Sequence, residues 1–245
     1  MNLLGRLRTV LHATFAPIRG ATHAARLEDY YRGQADAYDG FRQHLLHGRP
    51  ELLRVLPIPE GARLVEFGAG TGWNIEALGP ARQRCRSIVL VDLCPSLLRI
   101  AAERVQRHGW DNVTLVRADA TTYEPDDGPV DVVLVSYALT MIPDWFTAID
   151  QARKILRPGG VIGVTDFYVS GPYPEAGLRR HAWWQRLLWP LCFRGHNVFL
   201  SADHLPYLRY RFDTVHLEEK FGPMPFMMGL RPPYYVFVGR KVVRS

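Results

Sequence analysis

The segment Leu64-Val65-Glu66-Phe67-Gly68-Ala69-Gly70-Thr71-Gly72 passes from a short apolar run into a glycine-rich turn. Glycine lets backbone amides approach a ligand closely because it has no side chain and adopts positive φ angles without strain. The next apolar run, 88–91, ends at Asp92, whose carboxylate is suited to hold the two hydroxyls of a ribose. The pattern predicts two buried strands with a nucleoside site where they end.

The spacing of the glycines separates two classes of nucleoside cofactor. A dinucleotide fingerprint, G-x-G-x-x-G, needs a glycine at the position of Trp73, whereas here the third glycine is Gly72. With Glu66 the pattern becomes E-x-G-x-G-x-G, which resembles the form found in S-adenosylmethionine (SAM) methyltransferases. In such a site the glycine amides would face the amino-acid and sulfonium portion of the cofactor. A glycine-rich turn without a ligand is the alternative interpretation.

Length and composition favour one α/β domain. The chain has 245 residues, of which 47% are hydrophobic, enough for a single well-buried core with additions. Its cysteines, Cys85, Cys94 and Cys192, lack metal-ligand spacing and suit a reducing intracellular compartment, so we predict no metal site. The longest uncharged apolar stretch, 132–142, is shorter than the helix of about twenty residues that spans a bilayer.

The net charge of +6 is concentrated in two regions, of which the first is the N-terminus. Residues 1–27 contain no acidic residue, and their apolar side chains recur at helical spacing until Pro17. We predict a basic amphipathic N-terminal segment, 1–28, of the kind that lies at a membrane interface. An organellar transit peptide and a helix that caps the domain's own core are alternatives. The basic residues are Arg6, Arg8, Arg19 and Arg26.

The second basic region, 178–212, interleaves arginine with aromatic residues and contains one acid, Asp203. Arginine pairs with lipid phosphate and tryptophan prefers the headgroup level, so this composition favours a bilayer surface or a lipid substrate. Nucleic acid is a competing partner, and a solvated helix with buried aromatics is a further alternative. The residues concerned are Arg179, Arg180, Arg186, Arg194, Arg209, Arg211, Trp183, Trp184, Trp189 and Phe193.

Apolar runs bounded by turns alternate with helical segments along most of the chain. Helices are predicted at 74–78, at 96–108 with Ser96 as the cap, at 145–156, in a segment ending near residue 56 and in an insertion at about 176–211. Strands are predicted at 63–67, 87–92, 113–116, 130–136, 161–167, 212–217 and 234–240. Right-handed crossovers then give an α/β fold with a seven-stranded, doubly wound, mostly parallel sheet and an antiparallel C-terminal strand.

Over about 30–241 the chain resembles the class I SAM-dependent methyltransferases, whose domain would occupy 29–245. The matching signals are the glycine motif, Asp92, Asp119-Ala120, Ser136-Tyr137 and Arg157-Pro158-Gly159-Gly160. The resemblance implies SAM as the cofactor, with Asp119 accepting from the adenine amino group, the Ala120 amide meeting a ring nitrogen and Tyr38 lying over the cofactor. The implied cofactor contacts are Tyr38, Glu66, Gly68, Ala69, Gly70, Thr71, Gly72, Asp92, Leu93, Asp119, Ala120, Ser136 and Tyr137.

Less generic stretches carry a narrower resemblance. The segments 136–145, 201–205 and 230–235 are similar to those of diacylglycerylhomoserine N-methyltransferases of bacterial betaine-lipid synthesis. This implies a lipid substrate, a cytoplasmic enzyme peripherally associated with a membrane surface, and a functional partner that supplies the diacylglycerylhomoserine. Pro232-Pro233-Tyr234 resembles a motif of nucleic-acid amine methyltransferases, but it does not follow the fourth strand, so nucleic acid is not the expected partner.

Methyl transfer from a sulfonium is an in-line displacement that mainly requires positioning of a neutral amine. A tyrosine hydroxyl, a histidine nitrogen or water could take the proton of an ammonium reactant. Tyr137 and Tyr38 are the catalytic candidates, and Tyr137 directly follows the fourth predicted strand. Core packing is the alternative role for the aromatic residues, turn capping for Asp166, and a structural role after the predicted cap Ser201 for His204. The candidate substrate contacts are Tyr31, Trp145, Asp166, Tyr168 and His204.

Overall fold

Seven strands form one sheet in the order β3-β2-β1-β4-β5-β7-β6 in a computed structural model, which describes residues 20–32, 45–224 and 229–242. Strands β1 to β5 are parallel, and β7 runs antiparallel to both β5 and β6. The predicted fold class is confirmed. The strands are β1 (Ala62–Phe67), β2 (Cys85–Asp92), β3 (Val113–Arg117), β4 (Val130–Ser136), β5 (Leu156–Phe167), β6 (Asp213–Phe221) and β7 (Pro233–Arg240).

Helices cover both faces of the sheet. One layer contains α1, α2, α3, α4 and α6, and the other contains α5 and α7. The helices are α1 (His23–Arg32), α2 (Arg49–Val55), α3 (Trp73–Ala77), α4 (Pro95–His108), α5 (Trp145–Ile155), α6 (Trp183–Arg194) and α7 (His204–Arg211). Within the described ranges, no helix has both the length and the hydrophobicity needed to cross a membrane.

Strand β4 shows why the sheet needs two helical layers. Val132 and Leu134 pack into one core, while Val133 and Val135 pack into the other, and all four are almost completely buried. Burying each such side chain contributes roughly 1.5–3 kcal/mol. A strand that is apolar on both faces therefore lies in the middle of a parallel sheet, between β1 and β5.

Two predicted helix caps are wrong. Cys94 occupies the N-cap position of α4, and Ser96 lies in the first turn, where its amide donates to the Glu28 carboxylate at 3.1 Å. Ser201 lies three residues before α7 begins and accepts from the amide of Asp203, which occupies the N-cap position, at 3.1 Å. Serine side chains also bond in turns and to distant acids, so a serine near a helix start does not by itself identify the cap.

Strand β5 begins at Leu156, five residues before the predicted start, and so includes Pro158-Gly159-Gly160. Leu156 pairs with Val130, and the Gly159 amide donates to the Lys241 carbonyl at 2.9 Å. Proline is tolerated here because it lies at an end of the strand, where one ladder hydrogen bond can be missing.

Helix α1 crosses residue 28, where the sequence places the end of the basic segment. Leu27, Tyr30 and Tyr31 are buried in the core beside α4. The last part of the acid-poor segment therefore packs on the domain, as the core-capping alternative expects. Most of that segment, residues 1–19, lies outside the described residues.

A buried polar network supports the glycine turn from below. Glu66 is fully buried and accepts a hydrogen bond from the Asn74 amide at 2.5 Å, and the Asn74 oxygen accepts one from Arg49 at 2.9 Å. The Arg49 guanidinium also lies 4.0 Å from the centre of the Trp73 ring. The network joins β1, α2 and α3. Burial raises the pKa of Glu66 to about 8 against the opposing effects of Asn74 and Arg49, so the carboxyl is mainly protonated at neutral pH.

Glu66→Gln should flatten the pH dependence of stability. Between pH 4.5 and about 8 the native carboxyl keeps a proton that the unfolded chain has lost, so the free energy of unfolding falls as pH rises. The slope from this group approaches about 1.4 kcal/mol per pH unit. Urea unfolding at several pH values should give a shallower slope for E66Q, whereas E103Q, at an exposed site on α4, should keep the wild-type slope. Equal slopes in all three chains would show that native Glu66 is ionised.

Candidate functional site

A cavity of about 260 Å³ opens at the carboxyl ends of the parallel strands, between β1 and β4, where the strand order reverses. Doubly wound sheets bind their ligands at this point because the connecting loops diverge there. Nine of the residues predicted from sequence line the cavity: Tyr31, Gly68, Gly70, Asp92, Leu93, Asp119, Ala120, Ser136 and Tyr137.

Other predicted residues lie elsewhere. Glu66, Ala69, Thr71 and Gly72 belong to the glycine motif but do not border the cavity. Glu66 is turned into the network with Asn74, so its predicted role as a cofactor contact is corrected to a supporting one. Tyr38 lies outside the described residues.

The glycine turn depends on close backbone approach. Gly68, Gly70 and Gly72 all have positive φ angles, of 64°, 56° and 70°. A Cβ atom on Gly68 would stand 2.4 Å from the Cβ of Ala138, in the loop that follows β4. A side chain at Gly68 would therefore push the ends of β1 and β4 apart, and it would fill the cradle that the two loops form.

Asp92 is oriented by backbone amides. Its Oδ2 accepts from the Gly70 amide at 2.7 Å, and its Oδ1 accepts from the Cys94 amide at 2.8 Å. Burial raises the pKa of Asp92, and these hydrogen bonds oppose the shift. Each carboxylate oxygen keeps a second lone pair that could accept from a ribose hydroxyl. The carboxylate thus has the position and the remaining bonding capacity that a nucleoside needs.

Asp119 and His23 border another part of the cavity. Asp119 Oδ1 accepts from the amide and hydroxyl of Thr121, at 2.9 Å and 2.7 Å, which fixes the turn after β3. Burial lowers the pKa of His23, Arg26 adds to this effect and Asp119 opposes it, so the ring is mainly neutral at pH 7. No local sequence pattern identifies His23 as a site residue, because the strand end that it approaches is distant along the chain.

Tyr137 lies at the cavity with an unusual backbone conformation. Its φ angle is 54°, rare for a residue other than glycine, and its amide donates to the Thr165 carbonyl at 2.8 Å. Its hydroxyl donates to the His47 carbonyl at 2.5 Å. Burial and the nearby Asp166 raise the pKa of Tyr137 well above its usual range. This hydroxyl is engaged as a donor, so its role as a proton acceptor stays a prediction that the contact does not favour, and Tyr137 borders the cavity.

Asp166 does not border the cavity, although it was a candidate substrate contact. It is fully buried and accepts from the Thr140 hydroxyl at 2.8 Å and from the Thr140 amide at 3.1 Å. Burial raises the pKa of Asp166 to about 7, and the hydrogen bonds from Thr140 oppose this. The alternative role, fixing a turn, is the one that these contacts support, because they bind the loop after β4 to the end of β5.

Trp145, Tyr168 and His204 also lie away from the cavity. The Trp145 and His204 rings meet edge to face, with centroids 4.8 Å apart, and Tyr168 packs against Tyr235 at 5.9 Å. Burial lowers the pKa of His204 to about 3, so its ring is neutral. Tyr168 and His204 are thus buried and Trp145 is partly buried against the core, in agreement with the packing alternative for the two aromatic residues and the structural alternative for His204.

Glu28 holds α1 against the start of α4, beside the cavity. Its carboxylate accepts from the Cys94 thiol at 3.1 Å, from the Ser96 amide and from the Ser96 hydroxyl, at the start of α4. Burial favours the protonated form, but the hydrogen bonds from Ser96 and Cys94 outweigh it and lower the pKa of Glu28. The same helix brings Leu27 and Tyr31 to the cavity. One partly buried acid thus holds one wall of the cavity in place.

The donors and acceptors around this cavity fit SAM. The glycine turn leaves room for close approach, and the Asp92 carboxylate suits a ribose. Asp119 and Ala120, to which the resemblance assigns the adenine, also line the cavity.

A family model described as a methyltransferase domain matches residues 38–208. Demethylmenaquinone methyltransferase of Bacillus subtilis (strain 168) is 27% identical over 130 residues, which are 53% of this chain and 55% of that protein. The protein of the same name from Clavibacter sepedonicus is 30% identical over 174 residues, 69% of this chain and 62% of that protein. The chain thus spans little more than half the length of these curated relatives.

A solved structure shows the same fold. Phosphoethanolamine N-methyltransferase 2 of Haemonchus contortus, in complex with phosphomonomethylethanolamine and S-adenosylhomocysteine, superimposes with a TM-score of 0.68 at 15% identity. The match covers 91% of this chain and 61% of that chain.

Gly68→Ala should weaken binding of S-adenosylhomocysteine at least about tenfold, because a Cβ here both requires a strained φ and collides with Ala138. Gly79→Ala is the matched control. Gly79 also has a positive φ, 54°, but a Cβ there would meet no atom within 4 Å. Titration calorimetry should show nearly wild-type affinity for G79A. Equal affinities for the two variants would refute the steric argument.

Glu28→Ala should lower S-adenosylhomocysteine affinity about fivefold or more, because α1 loses its hydrogen bonds to α4. Hydrogen exchange in residues 23–32 should speed up in the same variant. E103A, which alters an exposed acid of α4, should change neither quantity. Wild-type exchange in E28A would show that the packing of Leu27 and Tyr31 alone holds α1.

Proposed function

The chain belongs to the methyltransferase-domain family of SAM-dependent enzymes, and we propose that it transfers methyl groups from SAM to the amine of a lipid headgroup. The proposed acceptor is diacylglycerylhomoserine, which would become a trimethylated betaine lipid. This acceptor comes from the resemblance of segments 136–145, 201–205 and 230–235, and residues 136–138 and 141–144 of the first segment border the cavity.

One observation carries the choice of an amine. The described residues that line the cavity include Asp92, Asp119 and Asp144 but no lysine or arginine. Aromatic faces of Tyr31 and Tyr137 add further surface that attracts a cation. A site of this character suits the positively charged sulfonium of the donor and the ammonium that each methylation produces.

In the proposed reaction, bound SAM supplies an electrophilic methyl group that is displaced from sulfur in line with the attacking nitrogen. The glycine turn and Asp92 hold the nucleoside, and α1 covers it so that water is excluded. Tyr137 and Tyr31 confine the amine beside the acids. The Tyr137 hydroxyl donates to the His47 carbonyl, which leaves the neutral His23 ring at the cavity wall or water to take the proton of the ammonium.

The curated relatives favour a second candidate, methylation of demethylmenaquinone. Their identity to this chain is concentrated in about half of their length, so it describes the shared methyltransferase core better than the acceptor region. A neutral ring acceptor would have no use for Asp144, the acid among the described lining residues that is not assigned to the nucleoside. The two candidates therefore differ in the charge of the product that the site must hold.

The acceptor can be identified by presenting vesicles with labelled SAM. Diacylglycerylhomoserine, phosphatidylethanolamine, demethylmenaquinone and RNA should be supplied in separate reactions, with products identified by mass spectrometry. We expect successive methylation of diacylglycerylhomoserine alone. Asp92→Ala should reduce this transfer by at least about tenfold, because the proposed ribose acceptor is lost. Label in demethylmenaquinone alone would establish the second candidate, and cofactor binding without transfer to any acceptor would contradict both.

A further inference from the structure

Helix α6 exposes an apolar stripe to solvent. The side chains of Trp183, Leu187 and Leu191 are 72%, 59% and 64% exposed, and they follow one another at intervals of one helical turn. Trp184 is a further exposed member at the start of the helix. The outward face of a surface helix is normally polar. An exposed apolar stripe of this kind therefore indicates a surface that binds a partner.

The same helix is anchored firmly by its other side. Trp189 is fully buried and Phe193 nearly so, and both belong to the core. At about 100° per residue, the exposed stripe and these two anchors point in opposite directions around the helix axis. The stripe is therefore held outward by packing and cannot turn inward without removing Trp189 from the core.

The surroundings of the stripe are basic. No acidic residue occurs between Glu175 and Asp203, whereas the same interval contains four arginines. Exposed Arg194 lies on the same angular sector as the stripe, and Arg180 stacks on the exposed Tyr173 ring, 5.9 Å from its centroid, just before the helix. The four arginines are Arg179, Arg180, Arg186 and Arg194.

The apolar stripe and the arginines around it together favour one kind of partner. Aliphatic Leu187 and Leu191 offer no face for stacking on nucleic-acid bases, whereas leucine and tryptophan side chains insert between lipid headgroups. A second copy of the chain would bring arginines of the same face together. Anionic headgroups instead complement those arginines.

The stripe is connected to the cavity by packed aromatic rings. The ring centroids of Phe193 and Phe167 are 4.4 Å apart, and those of Phe167 and Tyr137 are 4.7 Å apart. Tyr137 in turn borders the cavity. The loop after α6 is also joined to the loop after β4, because the Phe199 amide donates to the Thr140 carbonyl at 2.8 Å. A surface that docks through α6 would thus lie close to the acceptor side of the site.

We infer that the exposed face of α6, formed by Trp183, Trp184, Leu187 and Leu191 with Arg180 and Arg194, docks on an anionic lipid bilayer. Docking on a bilayer is a property separate from the proposed reaction. It rests on the proposed function only in that docking would give the enzyme access to a lipid acceptor.

The test is binding of the full chain to vesicles of phosphatidylcholine and phosphatidylglycerol that contain no acceptor lipid. We expect W183A/L187S/L191S to lower the partition coefficient at least about tenfold, since three inserting side chains are lost. F146S/Y210S is the matched control, because Phe146 and Tyr210 are similarly exposed but lie on the opposite helical layer. This control should bind as the wild type does. R180Q/R194Q should bind more weakly and with less salt dependence.

Wild-type binding by the triple variant, with S-adenosylhomocysteine affinity also unchanged, would overturn the docking proposal. A concentration-dependent dimer that the triple variant abolishes, or tighter binding to RNA than to vesicles, would also overturn it. Vesicle binding without methylation of any lipid would instead contradict the proposed function and leave the docking surface established, so the two proposals fail separately.

Discussion

The hydrogen bond from the Gly70 amide to the Asp92 carboxylate joins the turn after β1 to the end of β2 over 2.7 Å. The turn takes this shape through positive φ angles at its three glycines, and Gly68 lets the loop after β4 approach to contact distance. Three strand ends therefore converge on one point. The cavity, the orientation of the ribose acceptor and the place of Tyr137 all depend on that convergence.

The acids around this point have different roles. Asp92 keeps bonding capacity toward the cavity, whereas Glu66 accepts from Asn74 and Asp166 accepts from Thr140. Burial raises the pKa of both Glu66 and Asp166, to about 8 and about 7. An acid that keeps its proton adds little charge to the site. The field inside the cavity therefore comes mainly from the acids on its wall, which favour a cation there.

The outer surface around α6 carries positive charge, opposite in sign to the acids on the cavity wall. The chain carries a net charge of +6, and the arginines around α6 accompany the exposed Trp183, Leu187 and Leu191. In the proposed scheme an anionic bilayer meets this basic apolar face while a cation forms at the acidic cavity. The aromatic contacts from Phe193 through Phe167 to Tyr137 connect the two regions through a rigid core.

The amino-acid sequence by itself determined the strands, their parallel arrangement and the positions of Gly68, Gly70, Asp92 and Asp119 at one edge of the sheet. These follow from local hydrophobic runs and from the rule that parallel strands end together. Only the tertiary structure decided where side chains at those ends point. It turned Glu66 and Asp166 into the protein, engaged the Tyr137 hydroxyl with His47 and brought His23 to Asp119. Such outcomes depend on partners distant in the chain, whose approach is set by packing and desolvation rather than by any local pattern.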